Sequence, residues 1–256
     1  MSDLPPPPPP NMAPPPGYVA FGTGFDAPQG NFRRISGLGK WLVGLLCVTL
    51  AAQAILVLVQ FTLKNAAQDY LDGVITTSQF DNKLATYVGI GLLAGAAAVA
   101  QLVILIIWTW RMAKNSQLLG RQPQKFGPGA TIAINILGGC TLGILPFFMW
   151  RELWRASDPE VATGDPRWQN GLVTALIPVH LALTLCGVVA GLISSGSAGA
   201  GVGWMQSGSR SEIAKRLNDK MTLIGVNGVL TVAAAVVFIM IVRQLTARHA
   251  SAIREA

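Results

Sequence analysis

Five long stretches of this chain contain no Asp, Glu, Lys or Arg, and this feature limits the possible folds more than any other. An α-helix rises about 1.5 Å per residue, so about 20 apolar residues cross the hydrocarbon core of a bilayer. Only 12% of the chain is charged, which is about half the fraction found in soluble domains. The sequence therefore predicts an all-α, polytopic transmembrane helical protein over residues 36–245, with four or five spans. The five stretches cover residues 41–63, 86–110, 130–150, 171–193 and 221–242.

The third stretch is the reason why the number of spans stays open. Three glycines and a proline interrupt it, and Asn135 adds an amide; the interrupting residues are Gly138, Gly139, Gly143 and Pro146. Non-helical backbone at membrane depth is tolerated only where protein or a watery cavity shields it. Two arrangements follow: the stretch crosses as a fifth span, or it enters the membrane and returns to the same side.

Basic residues between the apolar stretches indicate the orientation. Cytoplasmic loops carry an excess of Lys and Arg. If the third stretch crosses, the cytoplasmic segments hold 11 basic residues and the outer segments hold 8. If the third stretch returns, these numbers are 13 and 6. Both arrangements place the N-terminus and the basic loop 111–129 in the cytoplasm of a multi-pass protein of the inner (cell) membrane, and the second gives the cleaner asymmetry.

The first 35 residues differ in composition from the rest of the chain. They contain the proline runs Pro5–Pro10 and Pro14–Pro16 among Gly and Ala, which favours an extended polyproline II rod and cannot bury a core. We therefore expect a disordered, proline-rich tail over residues 1–35. The tail is either a plain spacer or a binding site for a proline-recognising protein partner.

The segment between the last two stretches combines a linker with a helix start. Residues 194–204 read SSGSAGAGVGW, a composition typical of a flexible linker. Ser209 and Glu212 then form an S-x-x-E capping box. A helix should therefore start near Arg210 and continue into the last span, and residues 246–256 should form a short basic tail.

The sequence PFFMWRELWR, from Pro146, predicts a helix lying in the membrane interface. On a helical wheel the aromatic and leucine side chains share one face and the charged side chains share the other. Aromatic rings would then lie at the headgroup level, with arginines turned to water or phosphate. The alternative is the ragged end of the third span. The residues expected to contact lipid are Trp150, Arg151, Trp154 and Arg155.

Three polar side chains inside the apolar stretches, Asn135, His180 and Asn227, are candidates for an intramembrane site. Ionisable groups at membrane depth often have a function, and Pro178 could free a carbonyl for the His180 ring. The commoner use of such side chains is hydrogen bonding between helices. No Asp, Glu, Lys or Arg lies in any span interior, which is unfavourable for an ion-coupled transporter.

No catalytic, cofactor or metal motif was found, so we expect a non-enzymatic protein. The basic residues flank apolar stretches and form no continuous stripe, which argues against nucleic acid. The three cysteines, Cys47, Cys140 and Cys186, are expected to be small buried hydrophobic residues.

The leading hypothesis for the function is an accessory, scaffold or regulatory subunit that contacts the lipid bilayer and a protein partner. A small-solute transporter or channel is the alternative, and homo-oligomerisation stays open.

Two segments carry a family resemblance: WTWRMAKNSQLLGRQPQKFGPG and LPFFMWRELWRASDP. They resemble the actinobacterial multi-pass membrane proteins known as domain of unknown function 4328. The resemblance covers roughly residues 40–245, and its specific motif lies in 108–158. It implies a membrane protein and no activity. The family often has a proline and an asparagine where this chain has Gly138-Gly139-Cys140-Thr141. The matching residues are Trp110, Arg111, Asn115, Gly120, Pro128, Pro146, Glu152, Trp154, Arg155 and Ser157.

Overall fold

A computed structural model describes residues 31–195 and 209–255. The described residues form six α-helices and one short 3-10 helix, with no strand among them. The predicted disordered tail, up to residue 30, and most of the predicted glycine-rich linker, from residue 196, lie outside the described residues. The helices are α1 (Ser36–Leu71), α2 (Thr77–Leu118), α3 (Pro128–Leu137), α4 (Ile144–Ala156), α5 (Leu176–Ser195) and α6 (Arg210–Ala252), and the 3-10 helix covers Pro166–Asn170.

Four of these helices, α1, α2, α5 and α6, are long and apolar enough to cross a membrane. The apolar windows of these helices have a mean hydropathy between 2.2 and 2.6. In contrast, α3 has 10 residues and rises only about 15 Å, half of a hydrocarbon core. Among the described residues, the third apolar stretch therefore does not form a fifth spanning helix.

The long helices pack side by side in the order α2, α1, α6, α5. Helices α1 and α6 are antiparallel over a long seam. A Cβ atom added to Gly39 would lie 2.6 Å from Thr246, and one added to Gly228 would lie 2.5 Å from Val57. Gly228 is therefore required for the close approach of α1 at this point, because a side chain there would collide with Val57.

Helices α3 and α4 form an antiparallel hairpin that returns to the end of the bundle where it began. The Glu152 carboxylate on α4 accepts hydrogen bonds from the backbone N–H groups of Lys125 and Phe126, just before α3. At the opposite end of α3, Asn135 binds Thr109 of α2. Thr109 lies nine residues before the end of α2, which corresponds to about 14 Å. The hairpin therefore fills only part of the length of the long helices, as the returning arrangement requires.

The turn of this hairpin explains which residues break the third stretch. Residues 138–143 form successive turns, and Leu142 and Gly143 adopt the left-handed conformation, with φ of 52° and 81°. Pro146 does not break a helix, because it lies in the first turn of α4, where the missing N–H needs no partner. The glycines and the left-handed pair, and not the proline, end the helix.

Two apolar clusters stabilise the bundle. The larger cluster contains buried residues of α1, α2, α4 and α6, including Trp108, Trp150 and Phe238. The smaller cluster joins the last turns of α1 to the first turns of α2 and α6, around Phe80 and Leu217. Helices α1, α2 and α6 have 36 or more residues each, so they are longer than a bilayer requires. All residues of this second cluster except Leu63 lie beyond the apolar stretches 41–63, 86–110 and 221–242.

The helix ends and the helix surfaces test several predictions made from the sequence. The Ser209–Glu212 capping box is confirmed. Helix α6 continues to Ala252, and His249 and the following Ile253 are buried, so most of residues 246–256 belong to the bundle and are not a tail. The three cysteines are exposed on the helix surfaces, so the expectation that they are buried is wrong. An apolar environment outside the protein would favour cysteine at such positions as well as a protein core does.

Candidate functional site

The most ordered polar structure lies where α2 ends, around the buried side chain of Arg121. This side chain is 1% exposed. Its guanidinium group donates to four backbone carbonyl groups at 2.6 to 3.4 Å. Burial lowers the pKa of Arg121, and the nearby Asp158 and Asp165 oppose that shift. Arg121 thereby fixes the loop that follows α4 against the end of α2. The four carbonyls belong to Ala156, Asp158, Val161 and Ala162.

Two further contacts close the base of the hairpin. The Gly164 N–H donates to the Leu119 carbonyl at 3.0 Å. Gly120, with φ of +67°, approaches Gly164 so closely that an added Cβ would lie 3.0 Å from its backbone. A side chain at Gly120 would therefore be excluded by both its conformation and its space. Glu152 caps the other side of the hairpin base through the N–H groups described above.

The last turns of α6 join the same structure. Ser157 Oγ and His249 Nδ1 are 2.8 Å apart, and both side chains are fully buried. Arg248 forms an ion pair with Asp158 at 2.6 Å and lies over the Trp154 ring, 5.3 Å from its centroid. These contacts tie the C-terminal end of α6 to the end of α4.

The segment before α1 is held at this end too. The Asn115 side chain makes two 2.9 Å hydrogen bonds with the backbone of Arg33, one as acceptor and one as donor. Arg111 donates to the Arg34 carbonyl at 2.8 Å, and the Arg33 guanidinium lies 4.4 Å from the Trp110 ring centroid. The Glu255 carboxylate accepts the N–H groups of residues 35 and 36. The last residues of the predicted tail are therefore bound to the bundle.

We call this region the polar end: the start of α1, the loop 119–127 with the end of α2, residues 150–175, and the end of α6. Thirteen Lys and Arg residues and five Asp and Glu residues lie at the helix ends gathered here. The remaining helix ends, at residues 64–83 and 210–220, carry six basic and five acidic residues. The positive charge of the described chain is thus concentrated at the polar end.

The sequence placed Trp150, Arg151, Trp154 and Arg155 at a lipid interface, and the structure corrects this for the two tryptophans. Trp150 is 4% and Trp154 is 9% exposed. Trp150 packs between Trp108 and Phe238, with ring centroids 6.0 and 5.5 Å away. Arg155 donates to the Gly171 carbonyl at 3.0 Å. An interfacial helix and a core helix show the same aromatic face on a helical wheel, and here that face packs on protein. A lipid contact of Arg151 and Arg155 stays a prediction.

The three intramembrane candidates do not meet at one point. Asn135 donates to Thr109 of α2 and to its own helix. Asn227 of α6 lies against the glycines of α5, where Cβ atoms added to Gly187 and Gly191 would contact its amide at 3.4 and 3.5 Å. His180 lies on the same α5–α6 seam and pairs with Ala234 of α6. Asn135 thus joins α2 to α3, whereas Asn227 lies between α5 and α6.

His180 also lines a cavity of about 240 Å³ beneath the hairpin turn. Its Nδ1 lies 3.2 Å from the Ala234 carbonyl oxygen, and its ring stacks on Phe238 at 5.1 Å. Pro178 lies in the first turn of α5, and the ring bonds a carbonyl of α6, so no carbonyl freed by Pro178 is needed. Among the residues of 31–195 and 209–255, no group of three or more His, Cys, Asp or Glu side chains could hold a metal ion.

The sequence did not single out the polar contacts of Arg121 and His249. The partners of Arg121 are backbone carbonyls 35 to 41 residues away, and every residue has a carbonyl. The available signal was indirect: the loop 111–129 has four basic residues and no acidic residue. An arginine in such a loop has no acidic neighbour in sequence and must find an acceptor elsewhere.

Most of the residues that carry the family resemblance make contacts at the polar end. Eight of them lie at the polar end, and each makes a contact described above: Trp110, Arg111, Asn115, Gly120, Glu152, Trp154, Arg155 and Ser157. Searches of curated proteins and of solved structures each found no match. The family model described as "Domain of unknown function (DUF4328)" matches residues 73–247, most of the chain. This chain therefore belongs to the DUF4328 family.

Proposed function

We propose that this protein is a non-enzymatic, multi-pass cell-membrane protein that acts as an accessory or scaffold subunit through its polar end. In this arrangement α1, α2, α5 and α6 cross the bilayer, the α3–α4 hairpin enters and returns, and the polar end faces the cytoplasm. The excess of Lys and Arg there supports this orientation, because cytoplasmic segments are enriched in these residues. The actinobacterial source implied by the resemblance stays a prediction.

One observation supports the contact role: at the polar end most carboxylates are bound by groups of the protein, whereas most basic side chains are exposed. Four of its five acidic residues bind groups of the protein itself: Glu152, Asp158, Asp165 and Glu255. Seven exposed basic residues of the polar end have no carboxylate partner among the described residues: Arg33, Arg34, Lys40, Lys114, Lys125, Arg243 and Arg254. An uncompensated basic surface attracts acidic protein segments and anionic headgroups. We propose an acidic protein segment as the partner.

The Ser157–His249 pair is consistent with a non-enzymatic protein. A nucleophile and its base must be reachable by a substrate, whereas both of these side chains are fully buried. Ser157 Oγ also lies 2.7 Å from the Leu153 carbonyl, to which it donates. The pair is better described as a link between α4 and α6.

A transporter or channel built on Asn135, His180 and Asn227 is the alternative. It has weaker support, because Asn135 is used between α2 and α3 while the other two lie between α5 and α6. Solute flux in vesicles that is lost in His180→Ala and Asn135→Ala would favour it over the scaffold.

The test of the scaffold compares two matched double variants. Lys114→Gln with Lys125→Gln neutralises exposed side chains at the polar end, and Lys83→Gln with Lys215→Gln does the same at the other end. Proteins crosslinked to each variant in intact cells are quantified. We expect a partner that is retained by the wild type and by the second variant but lost by the first. A third variant lacking residues 1–30 separates this contact from one made by the proline-rich tail.

Three outcomes would count against the proposal. Equal recovery of all crosslinked proteins by both double variants would remove the basic surface from the function. A loss confined to anionic lipids retained by the purified protein, measured by native mass spectrometry, would show that the surface binds the leaflet and not a protein. A polar end that faces the outside of the cell would also exclude a cytoplasmic partner. The side is measured with Lys114→Cys in a background without Cys47, Cys140 and Cys186, because a membrane-impermeant thiol reagent added to intact cells labels this cysteine only if it lies outside.

A further inference from the structure

We propose that the cavity beneath the hairpin turn binds a small apolar molecule that carries a hydroxyl group, such as a substituted phenol. The cavity has a volume of about 240 Å³. Its lining is mostly apolar and includes Phe147, Trp150, Leu181 and Val188, with the glycines of the turn above them. This site is independent of the basic surface described above, because it lies in the apolar part of the bundle.

The polar atoms of the lining determine the ligand chemistry. A carbonyl oxygen only accepts hydrogen bonds, so the contact with Ala234 assigns the hydrogen of the neutral His180 ring to Nδ1. Nε2 then keeps a free lone pair and can only accept. Thr184, the second polar side chain of the lining, donates its hydroxyl hydrogen to the His180 carbonyl at 2.8 Å. Its oxygen is therefore also left as an acceptor.

Residues 140–144 add no further backbone donor, because their N–H groups all bond to carbonyl groups of residues 137–141. The site thus offers two acceptors, Nε2 of His180 and Oγ1 of Thr184, to a ligand that brings a donor. The indole N–H of Trp150 is the remaining side-chain donor in the lining. A ligand that accepted a hydrogen bond from the Trp150 indole would need no donor of its own. An ether, which only accepts hydrogen bonds, tests that alternative.

The size of the cavity limits the ligand to about one substituted ring. An engineered cavity of about 150 Å³ lined by apolar side chains binds benzene, so about 240 Å³ holds a ring with a small substituent. The ring of His180 is held by its stacking on Phe238 and by its hydrogen bond, so the acceptor is preorganised. Leu142, which lines the cavity, is 45% exposed, so the lining reaches the apolar surface of the bundle.

The experiment uses the full-length protein in nanodiscs of uncharged lipid and two probes that differ in one group. 4-(Trifluoromethyl)phenol carries a donor, and its methyl ether does not. Saturable binding is followed by fluorine NMR, with empty nanodiscs as the reference for partitioning. We expect the phenol to bind about five- to tenfold more tightly than the ether, since one hydrogen bond is worth about one order of magnitude at most.

Three variants and one control assign the site. His180→Phe keeps a ring on Phe238 but removes the acceptor, and should reduce phenol binding to the level of the ether. Thr184→Val should weaken phenol binding less. Leu181→Trp should fill the cavity and abolish binding of both probes. Thr231→Val is the matched control, because this exposed threonine donates to the carbonyl four residues before it as Thr184 does.

The outcomes separate the alternatives. Equal binding of phenol and ether, an unchanged preference in both His180→Phe and Thr184→Val, or no saturable binding to the wild type would each overturn the proposal. If His180→Phe does not fold, as judged by its thermal unfolding, Thr184→Val and Leu181→Trp still decide between a donor-selective site and none. Failure of this test leaves the scaffold proposal intact, because that proposal rests on the exposed basic side chains of the polar end and not on the cavity.

Discussion

The two ends of this helical bundle are stabilised in different ways. At the polar end, buried donors and acceptors such as Arg121 and Asn115 tie together helix ends that are far apart in sequence. At the opposite end, α1, α2 and α6 close around eight buried apolar residues, with Tyr70 stacked on Phe80 at 4.9 Å. The first end depends on a few directional bonds, each with a fixed geometry. The second depends on buried area, which is non-directional. Conservative replacements should therefore be tolerated at the opposite end and not at the polar end.

The largest effect should come from Arg121→Met. The substitution keeps much of the buried volume but leaves four carbonyl groups without the donor that they share. We expect the free energy of unfolding to fall by about 4 kcal/mol, since each buried acceptor left unsatisfied costs about 1–3 kcal/mol and some will find water. The measurement is denaturant unfolding of the purified protein in micelles, followed by circular dichroism.

Arg121→Lys is the conservative control. Lysine keeps the charge but cannot reproduce the planar fork of donors, so it should recover less than half of the loss. Full recovery by lysine would show that the polar end needs only a positive charge there, and the contrast between the two ends would be weakened.

At the opposite end, Phe80→Ala should lower the free energy of unfolding by about 3 kcal/mol, because a fully buried phenyl ring is lost and a cavity remains. Phe80→Leu should cost less than about 1.5 kcal/mol, because it conserves apolar contact. The same unfolding assay measures both. A leucine variant as damaged as the alanine variant would mean that the Tyr70 stack, and not buried area, holds this end.

An intermediate loss of stability is expected for Asn115→Ala, which removes both hydrogen bonds to the backbone of Arg33. We expect a loss of about 1–2 kcal/mol in the unfolding free energy and faster trypsin cleavage after Arg33 and Arg34, because the segment before α1 is released. The exposed Asn82 provides the control: Asn82→Ala should leave the cleavage rate unchanged. Unchanged cleavage in Asn115→Ala would show that the contacts of Glu255, Arg111 and Trp110 suffice to hold this segment.

The difference between the ends also explains what could be predicted from the sequence. Apolar stretches identified the four long helices, and the glycines pointed to the returning hairpin. Hydropathy did not locate the helix ends: α2 begins nine residues before the stretch 86–110, because beyond the apolar window the helix continues by packing Phe80 and Leu84 into the second cluster. The cap of α2 is Thr76 with Gln79.

The candidate site was less predictable for a physical reason. Single polar residues such as Asn115 and Arg121 bind backbone groups 35 to 82 residues away, and backbone partners leave no trace in the sequence. His180 was found because a histidine in an apolar stretch is conspicuous, but its tautomer depends on a carbonyl of α6. The polar end became visible only through the family motif, which marks positions without giving their contacts.

The smallest effect should come from the more exposed of two ion pairs of similar length, one at each end. Arg210–Asp81 is 2.9 Å long with side chains 44% and 38% exposed, whereas Arg248–Asp158 is 2.6 Å long with side chains 28% and 16% exposed. Exposed pairs contribute about 0–1 kcal/mol and are screened by salt. Arg210→Gln should therefore cost about 0.5 kcal/mol in dilute buffer and nothing measurable in 1 M salt. Arg248→Gln should cost about 1–2 kcal/mol at either salt concentration, because it also loses the contact with the Trp154 ring. Equal costs with equal salt dependence would show that the polar end is held no more specifically than the end opposite to it.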